Sequence, residues 1–461
     1  MLATQLGPSG LGIFGQCTAF LAFIGIPIAN GILPAANRYI PANQSIGEYD
    51  KVNRWVISTR TIAIGLGILV MIIVVPFAGI ISDYLLGSQE YAPLIVLSAI
   101  AIPISSFYLT QRALIQSFKQ IRIWSFTTLL ISLLGLPIVI VLVKRYGLYG
   151  AVGQIILTSL IGGILATICF NWYRGKNAES LLLFRWDNQI VAKMGKFGGA
   201  SLTSAIIFSA VILIIRSLII NHFGNEQAGI YHAVSSISLQ YLSIGLFSLS
   251  VYWFPHLAGI SNHKIVVREL NKFLRISFSI MIPILVVLMT FRTQVIELVY
   301  SSSFSAASAL LPIQIIGDYF RIIFWIVSAS LLPMVMIKQF MGLSISFDIV
   351  LLIISGYLLK QSGLPGCILA YAIVNGIWVF ITYFMQRHLI GFRFTLPNIR
   401  LILSSGTVLC LAYLLSGEEF SIGKFILMVV SLGIWAFVSS TPEERQFIMH
   451  PRLLFSRVLD A

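Results

Sequence analysis

The stretch Ile62–Ile81, IAIGLGILVMIIVVPFAGII, contains 20 residues and no charged side chain. An α-helix rises about 1.5 Å per residue, so about 20 apolar residues are enough to cross the hydrocarbon core of a bilayer. This stretch therefore predicts a transmembrane helix. Comparable apolar runs recur along the rest of the chain.

The composition points to the same class of protein. The chain has 461 residues, of which 58% are hydrophobic and 10% charged, with a mean hydropathy of +0.93. Soluble domains usually contain about 25% charged residues. The low charge excludes a soluble enzyme, a disordered protein and a secreted disulfide scaffold. The predicted fold class is therefore all-α, a polytopic membrane protein.

Apolar windows predict thirteen transmembrane helices. Each should be helical because backbone polar groups have no water to bind inside a bilayer. The predicted spans are 11–34, 59–82, 92–111, 123–143, 149–171, 198–220, 227–254, 274–291, 308–335, 341–359, 365–385, 400–416 and 421–440.

The positive charges are distributed unequally between the two sides of the membrane. The chain has 30 Lys and Arg against 16 Asp and Glu, which in a soluble protein would suggest binding to nucleic acid. With loops assigned alternately, 23 cations fall on one side and 5 on the other, while Arg216 and Arg321 lie inside spans. The positive-inside rule places the 23 in the cytoplasm, so the first residue faces outward.

Three short patterns recur in order along the chain. GPSGLGIFGQ from Gly7 resembles GNEQAGIYHA from Gly224, an offset of 217 residues. The dipeptide KQ recurs at 119 and 338, an offset of 219, and GLYGA from Gly147 resembles GLPGC from Gly363, an offset of 216. These matches indicate a duplication of about six helices. Both copies begin on the same side, a parallel repeat found in transporters.

The duplication predicts two pseudo-symmetric six-helix lobes. Helix 198–220 precedes the second pattern, and the first pattern has no counterpart before it, so we expect one more helix upstream. The alternative is a thirteen-helix protein with an outward N-terminus. The predicted domains are 1–190 (helices two to six), 191–390 (helices seven to twelve) and 391–461, with two extra transmembrane helices and a cytoplasmic tail.

Motifs for enzymatic chemistry are absent from the sequence. It contains no G-x-x-x-x-G-K-[ST] motif for ATP, no H-E-x-x-H motif and no Cys/His cluster, so we expect no cofactor and no metal. Cys17, Cys169, Cys367 and Cys410 lie in apolar runs and are interpreted as packing residues. The chain is therefore predicted not to be an enzyme, and an ion gradient is the expected energy source.

Four segments resemble a known family. They are LGPSGLGIFGQ (Leu6–Gln16), RWDNQIVAKMGKFG (Arg185–Gly198), AGIYHAVSSISLQYLSIGLFSLSVYWFPHLA (Ala228–Ala258) and IIGDYFRI (Ile315–Ile322). Over roughly residues 1–390 the chain resembles the polysaccharide flippases of the multidrug/oligosaccharidyl-lipid/polysaccharide exporter superfamily. Within that family it is most similar to the O-antigen translocases and the enterobacterial common antigen lipid III flippases.

The resemblance implies a function. Such a protein would move an undecaprenyl-diphosphate-linked oligosaccharide, such as an O-antigen unit, from the cytoplasmic to the periplasmic leaflet of the bacterial inner membrane. It would do so by alternating access around a central cavity. Helices 11–34, 198–220 and 227–254 would border a lateral portal for the lipid. The implied partners are the bilayer and the glycan, together with the polymerase and chain-length proteins of glycan assembly, and no nucleic acid.

Charged residues inside spans are costly and are therefore candidate functional residues. Arg216 is a candidate to bind the diphosphate, the alternative being that its side chain extends to the membrane surface. Asp318 and Arg321 are three residues apart on one helix face. They would form either a self-neutralising pair or a switch in which a cation on Asp318 frees Arg321 for substrate. Asp348 is an alternative coupling carboxylate.

A polar stripe lies on the helix 227–254. Its members are spaced at four, four and three residues and would contact sugars or form interhelical hydrogen bonds: His232, Ser236, Gln240 and Ser243. Arg38 is the cytoplasmic cation expected to attract the diphosphate. Three other functions remain open on the sequence: a drug/cation antiporter, an O-antigen polymerase, and a structural partner in glycan assembly. The short outward loops and the two arginines inside spans favour an anionic transported substrate.

Overall fold

The computed structural model describes residues 2–175, 186–416 and 421–440, without the side chains of 196–201 and 247. All regular elements in these residues are helical. The expected cytoplasmic tail, 441–461, lies outside the described residues. The all-α prediction is confirmed.

Fourteen α-helices are described. They are α1 (Leu2–Ile26), α2 (Leu33–Ser45), α3 (Tyr49–Val74), α4 (Ala78–Leu86), α5 (Ala92–Ser117), α6 (Ile121–Arg174), α7 (Asn188–Leu242), α8 (Ser248–Ala258), α9 (His263–Thr290), α10 (Arg292–Val299), α11 (Ser305–Ser328), α12 (Ile337–Ile390), α13 (Leu396–Leu415) and α14 (Ile422–Ser439). Two π-helical segments, Pro27–Ile32 and Ser243–Phe247, join α1 to α2 and α7 to α8.

Ten helical stretches of the described residues are long and apolar enough to cross a membrane. Three of them, Ile121–Arg174, Leu202–Leu246 and Ile337–Ile390, each overlap two of the predicted spans. A helix of 54 residues would be about 80 Å long, far more than the hydrocarbon thickness of about 30 Å. The three stretches therefore contain six spans, and the thirteen predicted helices are all accounted for.

Glycines divide these three stretches. Gly147, Gly224 and Gly363 have φ angles of +53°, +84° and +65°, which only glycine adopts readily. A Cβ on Gly150 would lie 2.0 Å from the carbonyl oxygen of Leu142. The helix that follows Gly147 thus returns against the helix that precedes it.

The local structure of the first half recurs in the second. Helices α6 and α12 each contain 54 residues, and both their starts and their ends are 216 positions apart. Lys119 and Val335, also 216 apart, are the non-glycine residues with positive φ in the described chain, at +57° and +59°. The register of the repeat is therefore 216 here, and the KQ match at an offset of 219 is wrong by three residues.

The chain forms two compact units, residues 1–232 and 233–461. The core of the first unit includes Ile28, Trp55, Leu114 and Phe170. A core of the second unit includes Leu331, Phe347 and Trp378. These two units follow from how the residues pack, whereas the predicted domains 1–190, 191–390 and 391–461 follow from the sequence duplication.

Two glycines in the first unit allow α1 to approach α7 closely. A Cβ on Gly12 would lie 2.2 Å from the carbonyl oxygen of Asn225, and a Cβ on Gly229 would lie 1.8 Å from that of Pro8. Both partners obey the 217-residue offset, since Pro8 corresponds to Asn225 and Gly12 to Gly229. The contact is therefore reciprocal, as at a local two-fold axis. Small residues allow such close helix packing in membranes.

The last two helices, α13 and α14, pack within the second unit against α9 through polar contacts. Asn398 at the start of α13 donates to the side-chain oxygen of Asn271 in α9 at 2.7 Å. Arg275 donates to the carbonyl oxygen of Ser439, at the end of α14, at 2.9 Å. The two extra helices are thus held against α9 at two positions.

We predict that Gly12→Ala and Gly229→Ala each lower the melting temperature of the purified protein by several degrees. Each added Cβ meets backbone, and overpacking costs about 1–3 kcal/mol. Gly25→Ala, also in α1, is the matched control because its Cβ would meet nothing within 4 Å. Equal melting temperatures for all three variants would contradict the close contact.

Candidate functional site

Arg216 is buried in the first unit, with 8% of its surface exposed. Its Nη1 lies 2.9 Å from Nδ1 of His232. Because arginine remains protonated, Arg216 donates and the His232 ring accepts, which places the ring proton on Nε2. Arg216 also lies over the ring of Tyr231, 5.8 Å from its centroid. The guanidinium is thus held inside the protein rather than extended to the membrane surface.

A glycine leaves room for this pair. A Cβ on Gly15 would lie 2.7 Å from both Arg216 Nη1 and His232 Nδ1. On the same helix, the buried side chain of Gln16 donates to the carbonyl oxygen of Leu213 at 3.3 Å. The structure therefore brings together the α1 pattern GPSGLGIFGQ and the predicted residues Arg216 and His232.

The predicted polar stripe does not form a single site. His232 lies in the first unit, bound to Arg216. In the second unit, Ser236 is half-buried and hydrogen-bonded to the hydroxyl of Tyr300. Gln240 and Ser243 are exposed, and Ser243 donates to the backbone oxygen of Gln240 at 2.9 Å. Only the last two remain available to an external ligand.

Asp318 is fully buried in the second unit and accepts four hydrogen bonds. Ser238 donates to it at 2.7 Å, Tyr371 at 2.8 Å and Gln314 at 3.4 Å. The hydroxyl of Tyr241 donates to the other carboxylate oxygen. All four donors are neutral, so they orient the carboxylate without cancelling its charge. We call these residues the Asp318 cluster: Ser238, Tyr241, Gln314, Asp318 and Tyr371.

The approach of Tyr371 depends on a glycine. A Cβ on Gly317 would lie 2.4 Å from the Tyr371 ring and 3.2 Å from the Cα of Ala372. Asn375, one turn further along α12, donates to the backbone oxygen of Tyr371 at 2.8 Å. The packing of α11 on α12 thus fixes the hydroxyl against Asp318.

Of the two arrangements that the spacing of Asp318 and Arg321 allowed, the self-neutralising ion pair is not formed among the described residues. The ion pairs among the described residues involve Glu48 and Glu269 but not Asp318. Arg321 lies instead over the ring of Phe347 at 5.6 Å and interacts electrostatically with Asp318 and Asp348. Asp348 is also buried, at 4% exposed. Arg321 therefore lies close enough to interact electrostatically with two buried carboxylates on different helices.

Arg38 is exposed in the middle of α2. Its guanidinium lies 5.8 Å from the ring centroid of Tyr39, and Lys193 lies at the same distance from that ring. Tyr39 in turn stacks on Trp55 at 4.8 Å. Two cations thus meet on one aromatic side chain at the predicted cytoplasmic end of the first unit.

Sequence analysis identified Asp318 but missed most of its partners. Ser238 and Tyr241 are three residues apart and share a helix face, and Gln314 precedes Asp318 by one turn. These spacings indicate polar helix faces that could have been recognised in the sequence. Tyr371 was not predictable, because its proximity to Asp318 depends on how α12 packs on α11. No group of three metal-ligating side chains occurs in the described part of the chain.

The fold and these buried charges define a class of protein. Helices fill the described residues, and cations and carboxylates lie within apolar spans, as in membrane transporters. A family model described as polysaccharide biosynthesis protein matches residues 1–309. The chain belongs to this family, and it is a multi-pass membrane protein.

Two curated relatives are similar over most of the chain. The lipid III flippase of Escherichia coli (strain K12) is 24% identical over 371 residues, covering 80% of this chain and 88% of the relative. The putative O-antigen transporter of Shigella flexneri is 23% identical over 331 residues, covering 69% and 76%. These relatives are a flippase and a transporter rather than enzymes.

Solved structures of similar fold come from two kinds of transporter. The lipid II flippase MurJ in an inward closed conformation has a TM-score of 0.71 and 14% identity, covering 97% of this chain and 98% of that one. An inward-facing multidrug resistance MATE family transporter of the MOP superfamily also has a TM-score of 0.71, with 16% identity and coverages of 85% and 92%. The expected exporter fold is thus confirmed.

We predict that Asp318 and Tyr371 are energetically coupled. In a double-mutant cycle with Asp318→Asn and Tyr371→Phe, the free energies of unfolding should deviate from additivity by about 1 kcal/mol, because each change removes the same hydrogen bond. Denaturant titration of the purified variants measures this coupling. Tyr357→Phe, in the part of α12 that precedes Gly363, is the control, since Tyr357 is 63% exposed. Equal coupling for both tyrosines would contradict the assignment.

Proposed function

We propose that this protein moves an undecaprenyl-diphosphate-linked oligosaccharide from the cytoplasmic to the periplasmic leaflet of the bacterial inner membrane by alternating access. The observation that carries the proposal is the presence of Arg216 and Arg321 within apolar helices of a chain from a polysaccharide biosynthesis family. Such a substrate has an anionic diphosphate, a polar glycan and a lipid tail. Two arginines in an apolar setting suit the diphosphate, because guanidinium binds phosphate in a bidentate manner.

Arg321 is the stronger candidate for diphosphate binding. Its guanidinium lies over the face of Phe347 and interacts electrostatically with Asp318 and Asp348, an arrangement in which its N–H groups can still donate to a ligand. Arg216 has one donor engaged by His232 and is 8% exposed, so it would bind substrate only after the α1–α7 contact opens. Arg38 supplies the first attraction at the cytoplasmic entrance.

The Asp318 cluster is the proposed coupling site. A carboxylate surrounded by three hydroxyls and an amide can take up a proton or a small cation. The hydroxyl and amide oxygens can accept a hydrogen bond from the protonated carboxyl or coordinate the cation. Neutralising Asp318 removes its electrostatic attraction for Arg321, which lies one turn away on the same helix. The guanidinium of Arg321 can then interact with Asp348 or bind the diphosphate of the substrate. Ion binding and diphosphate binding are thereby linked through one guanidinium.

The exposed end of the polar stripe is the proposed sugar contact. Gln240 and Ser243 are exposed on the helix that the family resemblance assigns to the portal. A glycan needs hydroxyl and amide partners of this kind. The polymerase and chain-length proteins of glycan assembly are proposed as functional partners, since the flipped unit must be consumed on the periplasmic side.

We predict that Arg321→Ala abolishes transport in cells. In a strain lacking this gene, the lipid-linked oligosaccharide should accumulate on the cytoplasmic leaflet and the surface glycan should disappear. Wild type should restore the glycan and Arg321→Ala should not, because the diphosphate loses the half-buried cation within the apolar helices. Leaflet-resolved quantification of the intermediate, together with staining of the surface glycan, measures both quantities.

Arg400→Ala is the matched control, since Arg400 is exposed on α13, and it should restore the glycan fully. Accumulation of the intermediate on the outer leaflet of the deletion strain would contradict flipping and favour a polymerase or an assembly partner. Normal surface glycan with increased sensitivity to cationic drugs would favour the antiporter.

We predict that Asp318→Asn uncouples transport from the ion gradient. In proteoliposomes, wild-type flux should rise several-fold when a proton or a sodium gradient is imposed, and testing the two separately identifies the ion. The amide introduced by Asp318→Asn carries no negative charge for a cation to neutralise, so the flux of this variant should not respond. Asp348→Asn is the comparison variant and should retain the response. Loss of the response in Asp348→Asn alone would contradict the role of Asp318.

A further inference from the structure

A cavity of about 250 Å³ lies in the first unit, apart from the residues assigned to transport. It is formed where the π-helical segment and α2 meet the end of α5 and the start of α6. Its lining is apolar except for two amides and one arginine: Ala29, Leu33, Pro34, Asn37, Leu109, Arg112, Ala113, Gln116 and Trp124. No acidic residue is present in this lining.

Arg112 is the charged group of this cavity, and aromatic rings hold it in place. Its guanidinium lies 5.1 Å from the ring centroid of Trp124 and 5.6 Å from that of Tyr108. It donates to Thr128 Oγ1 at 3.3 Å, while its Nε is buried and has no hydrogen-bond partner among the described residues. None of the ion pairs of the described chain includes Arg112. Thr128 engages one of the five guanidinium N–H groups, so the Nη groups can also donate to an anion in the cavity.

The second half of the chain has no such arginine at the equivalent position. At the 216-residue offset, Leu109, Arg112 and Trp124 correspond to Trp325, Ser328 and Phe340. Trp325 packs edge-to-face on Phe273 at 5.8 Å. Phe340 packs against the core of the second unit. The second half therefore has packed aromatic side chains at the positions equivalent to those that line the cavity beside Arg112 in the first half. The duplication itself therefore does not require Arg112.

The rim of the cavity indicates the kind of molecule that enters it. Ala29 and Leu109 are exposed, Leu109 at 37%, so the cavity is bordered by an apolar helix surface. Arg112 lies little more than one turn from Ser117, where α5 ends on the side with the larger number of cations. A ligand in this position has an anionic group at the depth of the cytoplasmic headgroups and an apolar part beside it.

We propose that this cavity binds the phosphate of a lipid in the cytoplasmic leaflet, with Arg112 as the phosphate ligand. Asn37 and Gln116 are the neutral donors that face the same space, although Asn37 also accepts from Ser117 at 2.6 Å. The shared chemistry is a phosphate ester on an apolar chain. Either a membrane phospholipid or a polyisoprenyl phosphate supplies it. The site is separate from Arg216, Arg321 and the Asp318 cluster, so it stands independently of the transport mechanism proposed above.

Native mass spectrometry of the delipidated full-length protein tests this proposal. The probes are phosphatidylglycerol, undecaprenyl phosphate and diacylglycerol, which lacks phosphate. Wild type should retain one molecule of a phosphate-bearing probe and no diacylglycerol. Arg112→Ala should weaken this binding about tenfold or more, because a charge-assisted hydrogen bond is lost. Ala29→Phe, which fills the cavity and keeps every cation, should weaken it as strongly.

Arg122→Ala is the matched control, since Arg122 is exposed at the start of α6 and is absent from the cavity lining. It should bind as wild type does. Preference for undecaprenyl phosphate assigns the site to the isoprenoid carrier, and equal binding of phosphatidylglycerol assigns it to membrane lipid; both support the proposal. Equal losses in Arg112→Ala and Arg122→Ala, unchanged binding in Ala29→Phe, or retention of diacylglycerol would overturn it. Melting temperatures near that of wild type confirm that each variant is folded.

Discussion

Every backbone amide within the bilayer must find its partner inside the protein, and this constraint determines the architecture. Helices satisfy it span by span, but the chain must also reverse direction between spans. At Gly147, Gly224 and Gly363 it reverses at a single residue between two helices, through positive φ angles that side chains disfavour. Short reversals of this kind leave little loop outside the membrane. Chemistry is therefore confined to side chains that project from the helices.

The two halves share their helix pattern but differ in their charges. At the 216-residue offset, Asp318, Arg321 and Asp348 correspond to Ile102, Ser105 and Ser132. Ser105 lies 3.1 Å from Ser159, oxygen to oxygen, a neutral contact that fills the same part of the fold. Since the backbone geometry needs no charge at these positions, the three charged residues of the second half are additions to the fold. Charges within apolar spans that the fold does not need are candidate functional residues.

The sequence predicted the spans and the buried charges better than it predicted their contacts. Apolar length alone located all thirteen helices, because the bilayer imposes that length on any sequence. Helical spacing placed Asp318 and Arg321 on one face, but it carries no information on the opposing helices. Those helices bring the hydroxyls of Ser238 and Tyr371 to Asp318, and Phe347 to Arg321. The cavity at Arg112 likewise depends on three helices that are distant in sequence.

The reciprocal contact of Gly12 and Gly229 also limits how the two halves can diverge. After a duplication each copy is ordinarily free to accumulate its own substitutions. Here each glycine accommodates the backbone of the other copy, at Asn225 and Pro8. A side chain gained by one copy cannot be relieved by a smaller residue in the other, because both glycines already have the smallest side chain and the obstacle is main chain. At this crossing both copies must therefore retain glycine, however much their sequences differ elsewhere.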